Sequence, residues 1–216
     1  MKKCFLFSLV ATLLFSFTAN AQDTAIVSKA RLWVKSLNIE DTAIASRLVN
    51  VIATHIATIT EWNNTHPPST VPAGINPATG QRLSEMDRQI IANSAMPASV
   101  HQNLMTGLRN DLSEEQVEHV LNMYTIGKVA FTMNGYHSIV PEMTAKEDSV
   151  ILVFMKEARE QAVDFKSMKQ ISAIFEIYKT KSEQYLNANG RNWREMYRAY
   201  TDKIKAEKAK GVKKEE

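Results

Sequence analysis

The stretch that decides the fold reads DTAIASRLVNVIATHIATITEW and covers residues 41–62. Its core-facing positions recur at steps of three and four, the spacing that places side chains on one face of an α-helix. Asp41 stands directly before the stripe, where its carboxylate can accept the free amides of a first helical turn. The stripe consists of Ile44, Leu48, Val51, His55, Ile59 and Trp62. The pattern therefore predicts a long helix with one buried face.

This helix should end at His66-Pro67-Pro68, because proline lacks the amide donor and restricts the residue before it. A long loop rich in proline and glycine follows at about residues 67–83. Loops of this length inside a compact domain are usually functional or disordered. Apolar Val71 and Ile75 among stiff prolines favour an ordered, functional loop.

Most of the remaining sequence also carries helix signals. Capping boxes, in which a hydroxyl and a carboxylate or amide three residues later satisfy free amides, occur at Ser84/Asp87, Ser113/Gln116 and Thr144/Glu147. Further helices are predicted near residues 26–37, from Pro97, from about Ser167 to the stop at Asn189-Gly190, and over Trp193, Met196, Tyr197 and Tyr200. We predict an all-α fold, a compact single domain of about seven or eight helices over residues 22–216.

One stretch, residues 128–140, is ambiguous. Val129, Phe131 and Met133 alternate with other residues, and Asn134-Gly135 is typical of a tight hairpin turn. A short extended segment near residues 128–134 is therefore as well supported as a helix.

The first 21 residues have the features of a cleavable signal peptide. Lys2 and Lys3 precede an apolar run over residues 5–17, and Ala19-Asn20-Ala21 supplies the small side chains of a cleavage site before Gln22. A membrane anchor is the less favoured alternative, since a span needs about 20 apolar residues. Cys4 lies before the run, where it cannot serve as a lipid-modified cysteine. We expect an exported protein, periplasmic or extracellular, that is not a lipoprotein and has no membrane span after cleavage.

The charge of the mature chain argues against nucleic acid as a partner. Loss of Lys2 and Lys3 from the 26 basic residues leaves 24 against 23 acidic ones, a net charge of +1. A nucleic-acid binder normally presents a clustered basic face. Only the tail at about residues 203–216 is rich in lysine, and because it also carries glutamates it is predicted to be a solvated helix end.

Motifs for metal, nucleotide and serine-nucleophile chemistry are missing. None of the five histidines forms a zinc-protease pair or follows glutamate at di-iron spacing. Gly-x-Ser-x-Gly is absent, and the segment from Gly74 to Gly80 lacks the ending of a phosphate loop. We therefore assign no catalytic residue, no metal and no cofactor.

Two groups of polar residues could still carry chemistry. Glu157, Glu160 and Asp164 recur at helical spacing and could act as acid and base in glycoside cleavage, although a solvated face is the commoner role. Trp62, Asn63 and His66 combine aromatic faces with an amide at a helix end. That mixture suits a sugar, whose C–H faces stack while its hydroxyls need hydrogen-bond partners, although ordinary helix-end capping is the simpler interpretation.

Several strings resemble the domain of unknown function 3826 family. They are VPAGINPATG at 71–80, DLSEEQV at 111–117, AREQAVD at 158–164, IFEIYK at 174–179 and YLNANG at 185–190. The resemblance covers nearly all of the mature chain. It implies an exported protein in a carbohydrate context, in polysaccharide-degrading bacteria of the Bacteroides type, and carries no established catalytic residue.

The leading hypothesis is a helical domain that binds glycan fragments in a hollow between Trp62 and Trp193, roofed by the proline-rich loop. The expected ligand-binding residues are Trp62, Asn63, His66, Asn76, Tyr185, Asn187, Asn189 and Trp193. One alternative is a polysaccharide-processing enzyme that uses Glu157, Glu160, Asp164 or His66. A second is a structural or partner-binding helical protein without a small ligand.

Overall fold

The computed structural model describes residues 24–77 and 79–212. The predicted signal peptide, residues 1–21, lies outside the described residues, as do the last four residues of the predicted tail.

The described residues form an all-α fold, as predicted. Within residues 24–77 and 79–212 there is no β-strand, and the only β-type pairing is an isolated antiparallel bridge between Ile75 and Arg82. The helices are α1 (24–35), α2 (Thr42–Thr65), α3 (Glu85–Ser94), α4 (Ala98–Arg109), α5 (Glu114–Tyr124), α6 (Lys128–Ile139), α7 (Ala145–Ala162), α8 (Met168–Ala188) and α9 (Trp193–Val212), with a short 3₁₀ turn at Pro68–Thr70.

The chain divides into two compact units, with the boundary between Val120 and Leu121, inside α5. We refer to the part up to Val120 as unit 1 and to the part from Leu121 as unit 2. The single domain over residues 22–216 stays a prediction.

Unit 1 is built on the contact between α2 and α4. Asp41 caps α2 as predicted, accepting from the amides of Ala43 and Ile44 at 2.7 and 3.1 Å. The two helices approach closely at Gly107, where an added Cβ would lie 2.7 Å from Cγ2 of Val51. The core includes Leu48, Ile52, Ile59, Leu104 and Leu108. The predicted stripe thus buries its face against a second helix.

By length and composition, α2 is the one helix in the described ranges that is apolar enough to cross a membrane. A helix in the core of a globular unit meets the same test, and α2 packs against α4. Its Arg47 also forms a bidentate pair with Asp111, with N–O distances of 3.1 and 2.7 Å.

The loop between α2 and α3 is held by hydrogen bonds. The backbone amide of Asn76 donates to the carbonyl of Gln81 at 2.8 Å. From α3, Arg88 Nε donates to the carbonyl of Val71 at 2.8 Å, and Gln89 Nε2 donates to that of His66 at 3.2 Å. The loop is therefore fastened to α3 at two points.

Unit 2 is centred on the contact between α7 and α8, which follow one another along the chain. Helix α6 also contacts α7, and α9 contacts both α6 and α8. Its core includes Ile151, Met155, Ala158, Ile174, Phe175 and Leu186. Thr144 and Glu147 form the predicted capping box at the start of α7, and a further box joins Ser167 and Gln170 at the start of α8.

The extended segment considered for residues 128–134 is wrong, because these residues belong to α6. Val129, Met133 and Tyr136 recur at steps of four and three and are buried, whereas Phe131 is 76% exposed. Gly127, at φ +65°, takes the positive-φ position before the helix, and Asn134-Gly135 lies within it. Burial of the helical face outweighs the local hairpin signal.

Candidate functional site

Unit 2 contains a cleft of about 700 Å³ whose walls come from α6, α8 and α9. We call it the aromatic cleft. Five aromatic side chains line it, together with polar and charged groups from α6 and α8. The aromatic residues are Phe131, Tyr136, Trp193, Tyr197 and Tyr200, and the polar set includes Asn134, Glu176, Lys179 and Glu183.

The α9 wall of the cleft is a stripe of rings. Trp193, Tyr197 and Tyr200 are spaced four and three residues apart, which places them on one helix face. The rings of Trp193 and Tyr197 are stacked with centroids 5.9 Å apart, and the Trp193 ring lies 5.4 Å from that of Tyr136. Tyr197 is 49% exposed. The wall therefore offers a continuous aromatic surface that water can reach.

The turn before α9 positions this stripe. Gly190 has φ +85°, a conformation that favours glycine, and follows the C-cap Asn189 of α8. The backbone amide of Trp193 donates to Oδ1 of Asn187 at 2.9 Å. Asn187 thus fixes the first residue of α9 beside the cleft.

Tyr136 lies behind the rings of α9 and is nearly buried, with 2% of its surface exposed. Its hydroxyl donates to the backbone carbonyl of Lys179 at 3.1 Å. Burial raises the pKa of the Tyr136 phenol, so the hydroxyl stays protonated at neutral pH. The residue braces α6 against α8.

The α8 wall carries the charges. Lys179 Nζ lies 2.8 Å from Oε1 of Glu176 and is engaged by that carboxylate. Glu183, two helical turns beyond Glu176, is half-buried. Burial raises the pKa of Glu183, the charge of Glu176 raises it further, and Lys179 opposes the shift. Among the lining residues the carboxylates outnumber the cations by one.

Of the predicted site residues in unit 2, Trp193 lines the aromatic cleft. Asn187 and Asn189 hold the turn that precedes it, since Asn189 Nδ2 also donates to the carbonyl of Tyr185 at 2.7 Å. The Tyr185 ring makes an edge contact with Phe154, with centroids 6.4 Å apart. None of these three residues lines the cleft.

The predicted site residues in unit 1 form a separate group. The rings of Trp62 and His66 stack at 3.7 Å, and Trp62 Nε1 donates to the carbonyl of Ala92 at 3.1 Å. Asn63 is half-buried, and its Nδ2 has no hydrogen-bond partner among the described residues. Asn76 closes the loop through its backbone. The hollow between Trp62 and Trp193 stays a prediction.

The predicted carboxylate group lies on α7 and just after it, outside the aromatic cleft. Glu157 and Glu160 are exposed, and Asp164 is half-buried. Arg159, on the same helix, is buried and donates from Nη1 to Oδ1 of Asn122 at 2.9 Å. In the part of the chain that the structure describes, no three histidine, cysteine or acidic side chains are grouped to hold a metal ion.

The sequence profile of the domain of unknown function 3826 family, described as a protein of unknown function, matches residues 23–206. This chain belongs to that family. None of the curated proteins compared with it matches. The family match includes every residue that lines the aromatic cleft, so the cleft lies wholly within the family domain.

Of the residues that line the cleft, Trp193 is the one that the sequence predicted as a ligand-binding residue. The stripe over Trp193, Tyr197 and Tyr200 is visible in the sequence, but so regular a pattern on a helix usually faces a core. Glu176 and Glu183 are seven residues apart and thus share a face of α8. These two signals, taken together, would have pointed to a polar-aromatic site.

Proposed function

We propose that the protein is exported and binds carbohydrate, with glycan fragments held in the aromatic cleft. The observation that supports this most is that the stacked rings of Trp193 and Tyr197, which water can reach, line the same cleft as two carboxylates, Glu176 and Glu183. A sugar ring has the matching chemistry, with C–H faces that stack on aromatic rings and hydroxyls that bind paired oxygen acceptors.

The dimensions of the cleft suit a small ligand. Its volume of about 700 Å³ lies within the range of roughly 300–1,000 Å³ found for small-molecule sites. In the proposed complex Tyr197 and Trp193 stack on the sugar, while Asn134 and Glu183 bind its hydroxyls. Export rests on the signal-peptide features of residues 1–21 and would place the protein where glycan fragments are released.

The test is isothermal titration of the mature chain against neutral, acidic and amino-sugar oligosaccharides. We expect Tyr197→Ala to weaken binding about tenfold, because it removes a stacking surface that is half exposed and not part of the core. Trp33→Ala, which removes an aromatic ring from α1 in unit 1, is the matched control and should leave the affinity unchanged. Absence of heat with every oligosaccharide would refute the proposal.

Carbohydrate processing is a second candidate, favoured by two cleft carboxylates in unlike surroundings. Glu176 is ion-paired, whereas burial raises the pKa of Glu183, and such pairs can divide the roles of base and acid. Incubation with the same oligosaccharides and chromatography of the products distinguishes the two functions. Bond cleavage that Glu183→Gln abolishes would establish an enzyme; intact oligosaccharides would leave binding alone.

A further inference from the structure

Glu183 is a carboxylate of the aromatic cleft that no neighbouring group in the described part of the chain pairs with directly. Its carboxylate is half-buried, yet it has no hydrogen bond or ion pair within the described residues. Removing a carboxylate from water is costly unless a donor or a cation replaces the lost hydration. The free cleft therefore holds a charge that an occupant can neutralise.

Lys179, the one cation among the described residues that line the cleft, does not fill this role. Lys179 Nζ is held by Glu176 at 2.8 Å, which leaves the Glu183 carboxylate as the excess charge of the lining. The aromatic rings add to the same field, since the faces of tryptophan and tyrosine attract cations within about 6 Å of the ring centre. Carboxylate and ring faces both favour positive charge.

We infer that the aromatic cleft selects glycans with a protonated amine, that is, amino sugars without the N-acetyl group. This inference rests on the proposed function and specifies its ligand. The ammonium group would pair with Glu183, while the sugar ring stacks on the α9 stripe. Oligosaccharides of uronic acids would be disfavoured, because their carboxylates would meet Glu183 and Glu176.

Two oligosaccharides of equal length test the inference. At a pH where its amines are protonated, chitotetraose carries four ammonium groups, and its tetra-N-acetylated form has the same backbone without charge. We expect the mature chain to bind chitotetraose about tenfold more tightly, as one partly desolvated ion pair with a cation–π contact would produce. Glu183→Gln should abolish the preference, since the amide still binds hydroxyls but carries no charge.

Glu157→Gln is the matched control, because it removes the same charge from an exposed position on α7 outside the cleft. It should retain the full preference. Equal binding of the two oligosaccharides, or a preference that survives in Glu183→Gln, would overturn the inference while leaving carbohydrate binding intact. Failure of every oligosaccharide to bind would overturn the proposed function together with the inference.

Discussion

Arg191 is the residue that fastens the turn before α9 to the start of α7. Its Nε and Nη2 donate to the two carboxylate oxygens of Glu147 at 2.8 and 2.9 Å, a bidentate arrangement that fixes both orientation and distance. The same guanidinium donates to the carbonyls of Pro141 and Glu142 at 3.1 and 3.0 Å. Because Trp193 follows two residues later, this contact also helps to position the cleft.

The stability of unit 2 should depend on pH through Glu147. Its pKa is lowered from 4.5 to about 2, chiefly by the hydrogen bonds from Arg191 and then by the amide of Thr144. A carboxylate with a lowered pKa stabilises the fold fully above its unfolded value, and this contribution is lost as pH falls toward the folded value. We expect Glu147→Gln to be less stable than the wild type at neutral pH and to lose less stability on acidification.

Urea unfolding followed by circular dichroism between about pH 5 and pH 3 measures this difference. The slope of the unfolding free energy against pH reports the protons that the unfolded chain binds in excess of the folded one. Glu157→Gln, an exposed carboxylate of the neighbouring face of α7, should keep the acid sensitivity of the wild type. If Glu147→Gln lost stability as steeply as the wild type, Glu147 would not be the group responsible.

At this scale, sequence reasoning predicted the local contacts and missed the distant ones. Thr144 with Glu147 and the stop at Asn189-Gly190 are short-range patterns, and both are present. The partner of Arg191 lies 44 residues away along the chain. No spacing rule connects such a pair, because only the packing of α7 beside α8 brings them together.

At the scale of elements, capping and periodicity predicted nearly all helices. Asp41, Ser84 and Thr144 each accept the amides that their positions predicted, because a cap involves residues three apart and needs no tertiary context. In α6 the local signals conflict. The alternating apolar residues Val129 and Met133, followed by the turn sequence Asn134-Gly135, favour a hairpin. The segment nevertheless forms a helix, because a helix buries one face of it.

The close approach of α2 and α4 predicts a steric effect at Gly107. An alanine methyl group there would lie 2.7 and 2.8 Å from the two γ-carbons of Val51, whose branched side chain has little rotamer freedom. We expect Gly107→Ala to lower the free energy of unfolding by about 1–3 kcal/mol, the usual cost of overpacking. Urea unfolding of the two proteins measures the change.

Gly135 in α6 is the matched control for Gly107. An added Cβ there meets no atom within 4 Å, and its φ is ordinary for a helix. Gly135→Ala should therefore stabilise the protein by about 0.5–1 kcal/mol through helix propensity alone. The double variant Gly107→Ala with Val51→Ala should recover part of the loss. Equal effects of the two glycine substitutions would contradict the crowding at Gly107.

At the scale of the whole molecule, the cleft shows where sequence reasoning ends. Its lining comes from residues between 131 and 200, on three helices that were each predicted or considered as helices. Periodicity gives the apolar face of a helix but not which faces meet. The sequence predicts Trp193 as a ligand-binding residue because its ring can stack on a sugar. Glu183 looks in the sequence like any solvated glutamate, and only the folded structure brings it into one cleft with the rings of α9.

The proposed export predicts which residue begins the mature chain. When the full chain is expressed in a Gram-negative host, signal peptidase should cleave after Ala21, because alanines occupy the first and third positions of Ala19-Asn20-Ala21. Mass spectrometry of the periplasmic fraction should find a chain that begins at Gln22. Ala21→Arg should block cleavage and leave the longer form at the membrane. Recovery of the uncleaved wild-type chain in the cytoplasm would contradict export.

The aromatic wall stands on α9, which contacts α6 and α8, so whatever occupies the cleft touches all three helices at once. Binding of a ligand in the cleft therefore adds to the free energy that keeps α9 packed against α6 and α8. Arg194 and Arg198 are among the exposed basic residues of this helix, after which trypsin cleaves. A filled cleft should therefore slow digestion at the carboxyl-terminal end, and a chain truncated before Trp193 would lose recognition altogether.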